Sequence, residues 1–275
     1  MLDLPEVLTI SAQMGDAITG KTVESFSRGN SPHKFAFLKP SAEECERVIG
    51  GKKIAAVSGD AKSIFISLEP GYVLRINEMA GRLLFHEKGA KLPAKYQWLM
   101  RFSDGTALTA TVGLWAFFGL TKAKELGKPP YRAEGISPIG AELSYERFSQ
   151  LFSEYDKPEK NSIKAFLINR PRINGFGNAY MQDMLFHAGI HPTRKVADVT
   201  ARERRKLYNS MRKVLNQAIK LGGSEDERDL YGNPGRYKKI LSGKTQHSPC
   251  PQCGGEIGKI SFLGGATYFC GGCQK

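Results

Sequence analysis

The sequence predicts an α+β protein: an N-terminal antiparallel β-sandwich entered by one helix, then a helical domain, then a small cysteine-bearing hairpin. Three observations predict it. Short β-type runs separated by turn signals dominate residues 1–122. Apolar spacing turns helical after a Gly/Pro-rich connector. Two Cys-x-x-Cys pairs close the chain.

The first element is a helix, because Val7, Ile10, Met14 and Ile18 recur at helical spacing behind Pro5, a good first-turn residue. Strands follow at Ile64–Leu68 and Tyr72–Ile76 around Glu69-Pro70-Gly71, and at Trp98–Phe102 and Thr106–Thr111 around Ser103-Asp104-Gly105. The polar stretch GKPPYRAEGISPIG marks residues 123–140 as a linker. Beyond it, Tyr145, Phe148, Leu151, Phe152 and Tyr155 form one helical stripe, and Ile163, Phe166 and Leu167 begin another. The turn Asn174-Gly175-Phe176-Gly177-Asn178 precedes a third helix, Ala179–Ala188, ended by Gly189. A fourth starts at a capping box, Thr200 and Glu203, and keeps Leu207, Met211, Val214, Ala218 and Leu221 on one face. Its other face carries Arg202, Arg204, Arg205, Arg212 and Lys213, which by itself is the ordinary composition of a solvated face. The polar stretch from Gly222 to about residue 240 reads as a long mobile loop. The expected domains are 1–122, 141–245 and 246–275.

With 275 residues and 41% hydrophobic content, the chain is long enough for a real core. Forty Lys+Arg against 27 Asp+Glu give a net charge of +13, which favours a polyanionic partner. No run approaches the ~20 apolar residues of a membrane-spanning helix. The opening residues also lack a basic region followed by an apolar run, so the expected location is cytoplasmic, nucleoid-associated in a bacterium. A monomer with no small-molecule cofactor is expected as well.

Of five cysteines, Cys45 stands alone and reads as a buried thiol. Cys250 and Cys253 are separated by sixteen residues from Cys270 and Cys273, the spacing of a four-cysteine zinc site. Each knuckle offers two soft thiolates, and two knuckles make one closed tetrahedral, structural shell. Between them Glu256–Ser261 and Ala266–Phe269 read as the two strands of a zinc ribbon. His247 is near enough to be a substitute ligand, but four cysteines already complete the shell.

Leu4-Pro5-Glu6-Val7, Ala61-Lys62, Asn174 to Tyr180, Ala188-Gly189-Ile190-His191-Pro192 and Ala266-Thr267-Tyr268-Phe269-Cys270 together resemble the formamidopyrimidine-DNA glycosylase and endonuclease VIII family, nearly end to end. The resemblance implies a β-sandwich, a helix–two-turn–helix domain and a zinc hairpin flanking a DNA cleft. It implies a bifunctional glycosylase and abasic-site lyase that flips a damaged nucleotide out of the stack. An amine then attacks the sugar C1′ and forms a Schiff base. Several implied catalytic positions are substituted. Leu2 stands where an N-terminal proline supplies the amine, Asp3 where a glutamate follows it, and Gly265 where a hairpin arginine grips phosphate. Met1 is expected to be retained because Leu2 is not small.

By the same resemblance, Glu6 matches a family glutamate, Lys62 matches a phosphate-contacting lysine and Lys164 falls near another, Asn178 matches the asparagine that holds the backbone, and Met79 matches a gap-filling wedge. Trp115 stands where an arginine fills the gap left by the flipped base. Read alone, Met79 is as readily core as wedge. Three functions follow for comparison. The first is a protein that binds damaged, abasic or distorted duplex DNA with base excision weak or lost. The second is an active glycosylase/lyase using the Met1 α-amine or Lys62. The third is a structured-RNA or ribosome-binding module, since cationic grooves do not separate the polymers by charge. The candidate catalytic set is Met1, Asp3, Glu6 and Lys62. An α-amine is neutral at pH 7 far more often than a lysine amine, which puts Met1 ahead of Lys62 unless burial intervenes.

Overall fold

The computed structural model describes residues 1–168 and 172–275. Its described part divides into two compact units, one of residues 1–133 with 221–236 and the other of residues 134–220 with 237–275. No helix among the described residues is long and apolar enough to cross a membrane.

The first unit opens with helix α1, Leu4–Ile18, carrying Pro5 in its first turn and burying Val7, Ile10, Met14 and Ile18 as the spacing predicts. Strand β1 (Val23–Arg28) and edge strand β2 (Ala36–Lys39) follow. A short helix α2, Ala42–Ile49, is capped by the Ser41 side chain and buries Cys45 and Ile49. Strands β3 (Lys53–Asp60), β4 (Ser63–Glu69), β5 (Tyr72–Asn77) and β6 (Gly81–His86) are followed by β7 (Trp98–Phe102), β8 (Ala107–Val112) and β9 (Ala116–Lys122). They form a five-stranded sheet, β2-β9-β5-β4-β3, and a four-stranded sheet, β1-β7-β8-β6. All pairs are antiparallel except β2 with β9.

The sandwich core follows from alternation along the strands. Ile64, Ile66 and Leu68 of β4 share one cluster with Phe26, Trp98, Met100 and Leu108 of the other sheet and with the α1 stripe. Phe65, between them, joins Val73 and Tyr131 in a separate cluster. Residues 221–236, which the sequence assigns to the helical domain as a mobile stretch, pack with this unit instead. Leu230 enters the sandwich core, its N–H donates to Gln13 Oε1 at 3.0 Å, and its carbonyl accepts from Phe85 N–H at 3.0 Å.

In the second unit, α3 (Tyr145–Ser153) and α4 (Ile163–Ile168) bear the two predicted apolar stripes. Helix α5 (Asn178–Ala188) ends on left-handed Gly189. Helix α6 (Ala201–Lys220) starts at the predicted capping box, with Thr200 N–H donating to Glu203 Oε2 at 2.9 Å and Glu203 N–H to Thr200 Oγ1 at 3.3 Å. Several arginines on its polar face are committed to the protein. Arg204 lies over the Phe152 ring at 4.6 Å, and Arg212 donates to the Ile139 and Gly140 carbonyls. Strands β10 (Ile257–Phe262) and β11 (Gly265–Cys270) form the predicted hairpin.

Candidate nucleic-acid interface

In the first unit the candidate catalytic residues converge at the start of α1. Asp3 is its N-cap, and Glu6 is the return arm of a capping box, accepting from Asp3 N–H at 3.1 Å through Oε2. The other oxygen of Glu6 accepts from Ser224 N–H at 2.7 Å. The buried Glu6 carboxylate thereby ties the returning segment to the helix start. Gly223 permits this approach: its φ is +93°, and a Cβ there would meet Glu6 Oε1 at 2.7 Å. Lys62 Nζ lies 3.5 Å from Asp3 Oδ1 and 4.0 Å from Met1 Sδ. The Met1 amine donates to Glu227 Oε1 at 2.6 Å. Glu227 and Ser224 escape sequence reasoning because they lie more than two hundred positions from their partners, in a stretch that reads as solvent-exposed loop.

Leu2 is no substitute amine. Its side chain is buried in the sandwich core, and its N–H is a peptide donor to the Met79 carbonyl at 2.8 Å. Met79, which the resemblance matches to a wedge, is 1% exposed and belongs to the same core, between β5 and β6. Trp115 is 39% exposed, with its ring centroid 4.6 Å from Phe37 and 6.4 Å from Phe35.

In the second unit the four cysteines cluster, with all ligand atoms within 4.8 Å of one another. Cys250 Sγ is 3.7 Å from Cys273 Sγ, and Cys253 Sγ is 3.4 Å from Cys270 Sγ. Four sulfurs on two knuckles match the donor set and tetrahedral reach of a structural metal site. Gly272 keeps the second knuckle close, since a Cβ there would lie 3.0 Å from Cys253 Sγ.

Lys164, which falls near the position of a phosphate-contacting lysine, lies inside the second unit. It is 1% exposed, and its ammonium donates to the Phe262 carbonyl and to Thr267 Oγ1, each at 2.7 Å. Burial lowers its pKa. It is an internal strut between α4 and the hairpin, invisible in sequence because its acceptors lie about a hundred residues on. Half-buried Asn178 donates through Nδ2 to the Ala266 carbonyl at 2.7 Å. A Cβ on Gly265 would lie 3.9 Å from the same Nδ2, so the glycine that replaces the expected arginine adjoins Asn178.

Comparison with known proteins agrees with this arrangement. Residues 1–111 match the formamidopyrimidine-DNA glycosylase N-terminal domain, and residues 139–228 match the formamidopyrimidine-DNA glycosylase H2TH domain. A formamidopyrimidine-DNA glycosylase of Pelotomaculum thermopropionicum is 30% identical over 285 residues, covering all of this chain and 99% of its own. One of Bacillus licheniformis is 27% identical over 280 residues, covering both chains fully. Among solved structures, the Lactococcus lactis Fpg complex with abasic-site DNA superposes with a TM-score of 0.85 at 24% identity, covering 99% of each chain. MutM with carbocyclic 8-oxo-G DNA gives 0.84 at 25% identity, again covering 99% of each. With domain matches toward both ends and a relative aligned throughout, the chain belongs to the formamidopyrimidine-DNA glycosylase and endonuclease VIII family.

Proposed function

We propose that this protein binds duplex DNA at damaged, abasic or distorted positions, that excision of damaged bases is weak or absent, and that opening of abasic sites is the remaining chemistry. The carrying observation is the amine inventory at the start of α1. Leu2 offers only a peptide N–H already donated to Met79, so Met1 and Lys62 are the amines at hand. The Met1 amine lies 2.6 Å from Glu227 Oε1. Attack requires a neutral amine, and Glu227 is the adjacent proton acceptor. Base expulsion demands more of the site than imine formation on an abasic aldehyde, where the amine adds to C1′ and water leaves. Asp3 is one methylene shorter than glutamate and is engaged with Lys62. A displacement of about 1 Å in a catalytic group costs roughly 100-fold. Gly265 offers no cation beside Asn178.

The damaged-DNA partner is supported by family membership, by fold neighbours bound to abasic-site and 8-oxo-G DNA, and by the +13 charge. Cys250, Cys253, Cys270 and Cys273 would hold one structural zinc ion. Borohydride trapping tests the chemistry. The native protein is expected to form a covalent adduct with abasic-site duplex, reduced when the N-terminus is blocked and less reduced in Lys62→Ala. Release of oxidised bases at about 1 per second or faster would overturn the proposed loss of excision. Equal trapping by all three proteins would exclude both amines.

A further inference from the structure

Four large apolar side chains of the first unit lie exposed on two adjoining segments: Phe35 (42%) and Phe37 (37%) around the start of β2, and Leu114 and Trp115 in the β8–β9 turn. The backbone fixes them. The Phe35 carbonyl accepts from Ala116 N–H at 3.0 Å, and the Trp115 carbonyl accepts from Ala80 N–H at 2.7 Å. In the parallel register Ala36 faces Ala116 and Phe37 faces Phe117. Phe35 and Trp115 are stacked with 30° between their planes, and Lys34 Nζ lies 5.3 Å from the Phe35 centroid. Met79 supplies the link to the amines, its carbonyl taking Leu2 N–H while the next residue binds Trp115.

Beside the rings lies a cavity of about 290 Å³ whose lining includes Arg28, His33, Phe37, Ser41 and Trp98. Trp98 is buried, and its indole N–H has no acceptor among the described residues. The polar side chains of that lining, Arg28, His33 and Ser41, suit the hydrogen-bonding edge of a base. Three exposed rings with an adjoining lysine suit a flat π-face on a phosphate-bearing strand, since stacking tolerates any base and the cation complements the backbone. An aliphatic protein surface would leave those polar groups unmatched.

We propose that Phe35, Phe37 and Trp115 form a stacking platform for an unpaired nucleobase of the bound DNA, with the cavity beside Phe37 receiving the edge of that base. The proposal rests on the damaged-duplex reading and adds a base-holding site made of residues that reading does not use, apart from Trp115.

Affinity for an abasic-site duplex, an intact duplex and single-stranded oligothymidylate tests it in the full-length zinc-loaded protein, with Phe35→Ala/Phe37→Ala and Phe35→Tyr/Phe37→Tyr variants. The alanine pair is expected to lose about tenfold or more on abasic duplex and single strand and less than twofold on intact duplex, while the tyrosine pair retains binding. The two tryptophans separate the parts: Trp98→Phe leaves Trp115 as the emission of the platform, and Trp115→Phe leaves Trp98 as that of the cavity. Both emissions are expected to change on adding abasic duplex or oligothymidylate. Equal losses on all three DNAs, or native binding in the alanine pair, would overturn the platform. An unchanged Trp98 emission would overturn the cavity's part. If the native protein does not prefer abasic over intact duplex, the functional reading fails, and the single-strand arm still decides the platform.

Discussion

Asp183 is fully buried and takes three donors: Tyr237 Oη–H at 2.8 Å, Ile240 N–H at 3.0 Å and Leu241 N–H at 2.9 Å. These ties fasten the start of the C-terminal segment to α5. Burial pushes the carboxyl up to about 6, against the pull of the donors and of Lys239. A carboxyl with a raised folded pKa protonates in the folded state first, so its contribution to stability is greatest at low pH and declines as pH rises from 3.8 to about 6. Asp183→Asn has one acceptor oxygen where the carboxylate has two, and should cost about 1–3 kcal/mol by leaving buried donors unmatched. Thermal unfolding between pH 4 and 7 should show the native protein's lead over the variant narrowing as pH rises. A lead that widens would mean that the donors outweigh burial. Nothing in the sequence distinguishes Asp183 from a surface acid, because its donors come from a segment more than fifty residues later.

At the scale of elements, the hairpin is held at two ends by different chemistry. The cysteine shell closes the knuckles, and Lys164 pins the opposite turn through Phe262 and Thr267. Zinc removal by a chelator should disorder residues 246–275 and weaken DNA binding while the sandwich keeps its cooperative transition, because metal binding energy is folding energy for the small module it organises. Lys164→Met should cost the second unit about 1–3 kcal/mol by orphaning the buried Thr267 hydroxyl and the part-buried Phe262 carbonyl, with zinc stoichiometry unchanged. Loss of zinc in that variant would show that the strut and the metal shell are not separable. The strongly periodic elements, α1, α6 and the hairpin, were legible from spacing and caps alone. Helix α2 was not, since half of its eight residues are charged and it buries only Cys45 and Ile49. The cysteines were legible as a set because their chemistry depends on local spacing. The burial of Met79 and Lys164 was not legible, because a residue matched by position says nothing of whether it faces solvent or core.

For the whole molecule, the assignment of residues 221–236 to the first unit matters most. A fragment of residues 1–133 lacks Leu230 in its core, Gln13's partner and the Ser224 donor to Glu6. It should unfold with reduced cooperativity in denaturant, and grafting residues 221–236 after residue 133 through a short linker should restore the transition. A bare fragment as stable as the intact first unit would refute this. The same topology imposes an order on synthesis. At roughly 5–20 residues per second, about 5–20 seconds separate the emergence of residue 133 from that of residue 236. Throughout that interval the nascent sandwich has a gap where Leu230 belongs, and Glu6 waits for its distant donor. The part of the protein that is translated first is therefore the part whose fold cannot be finished until the helices have left the ribosome.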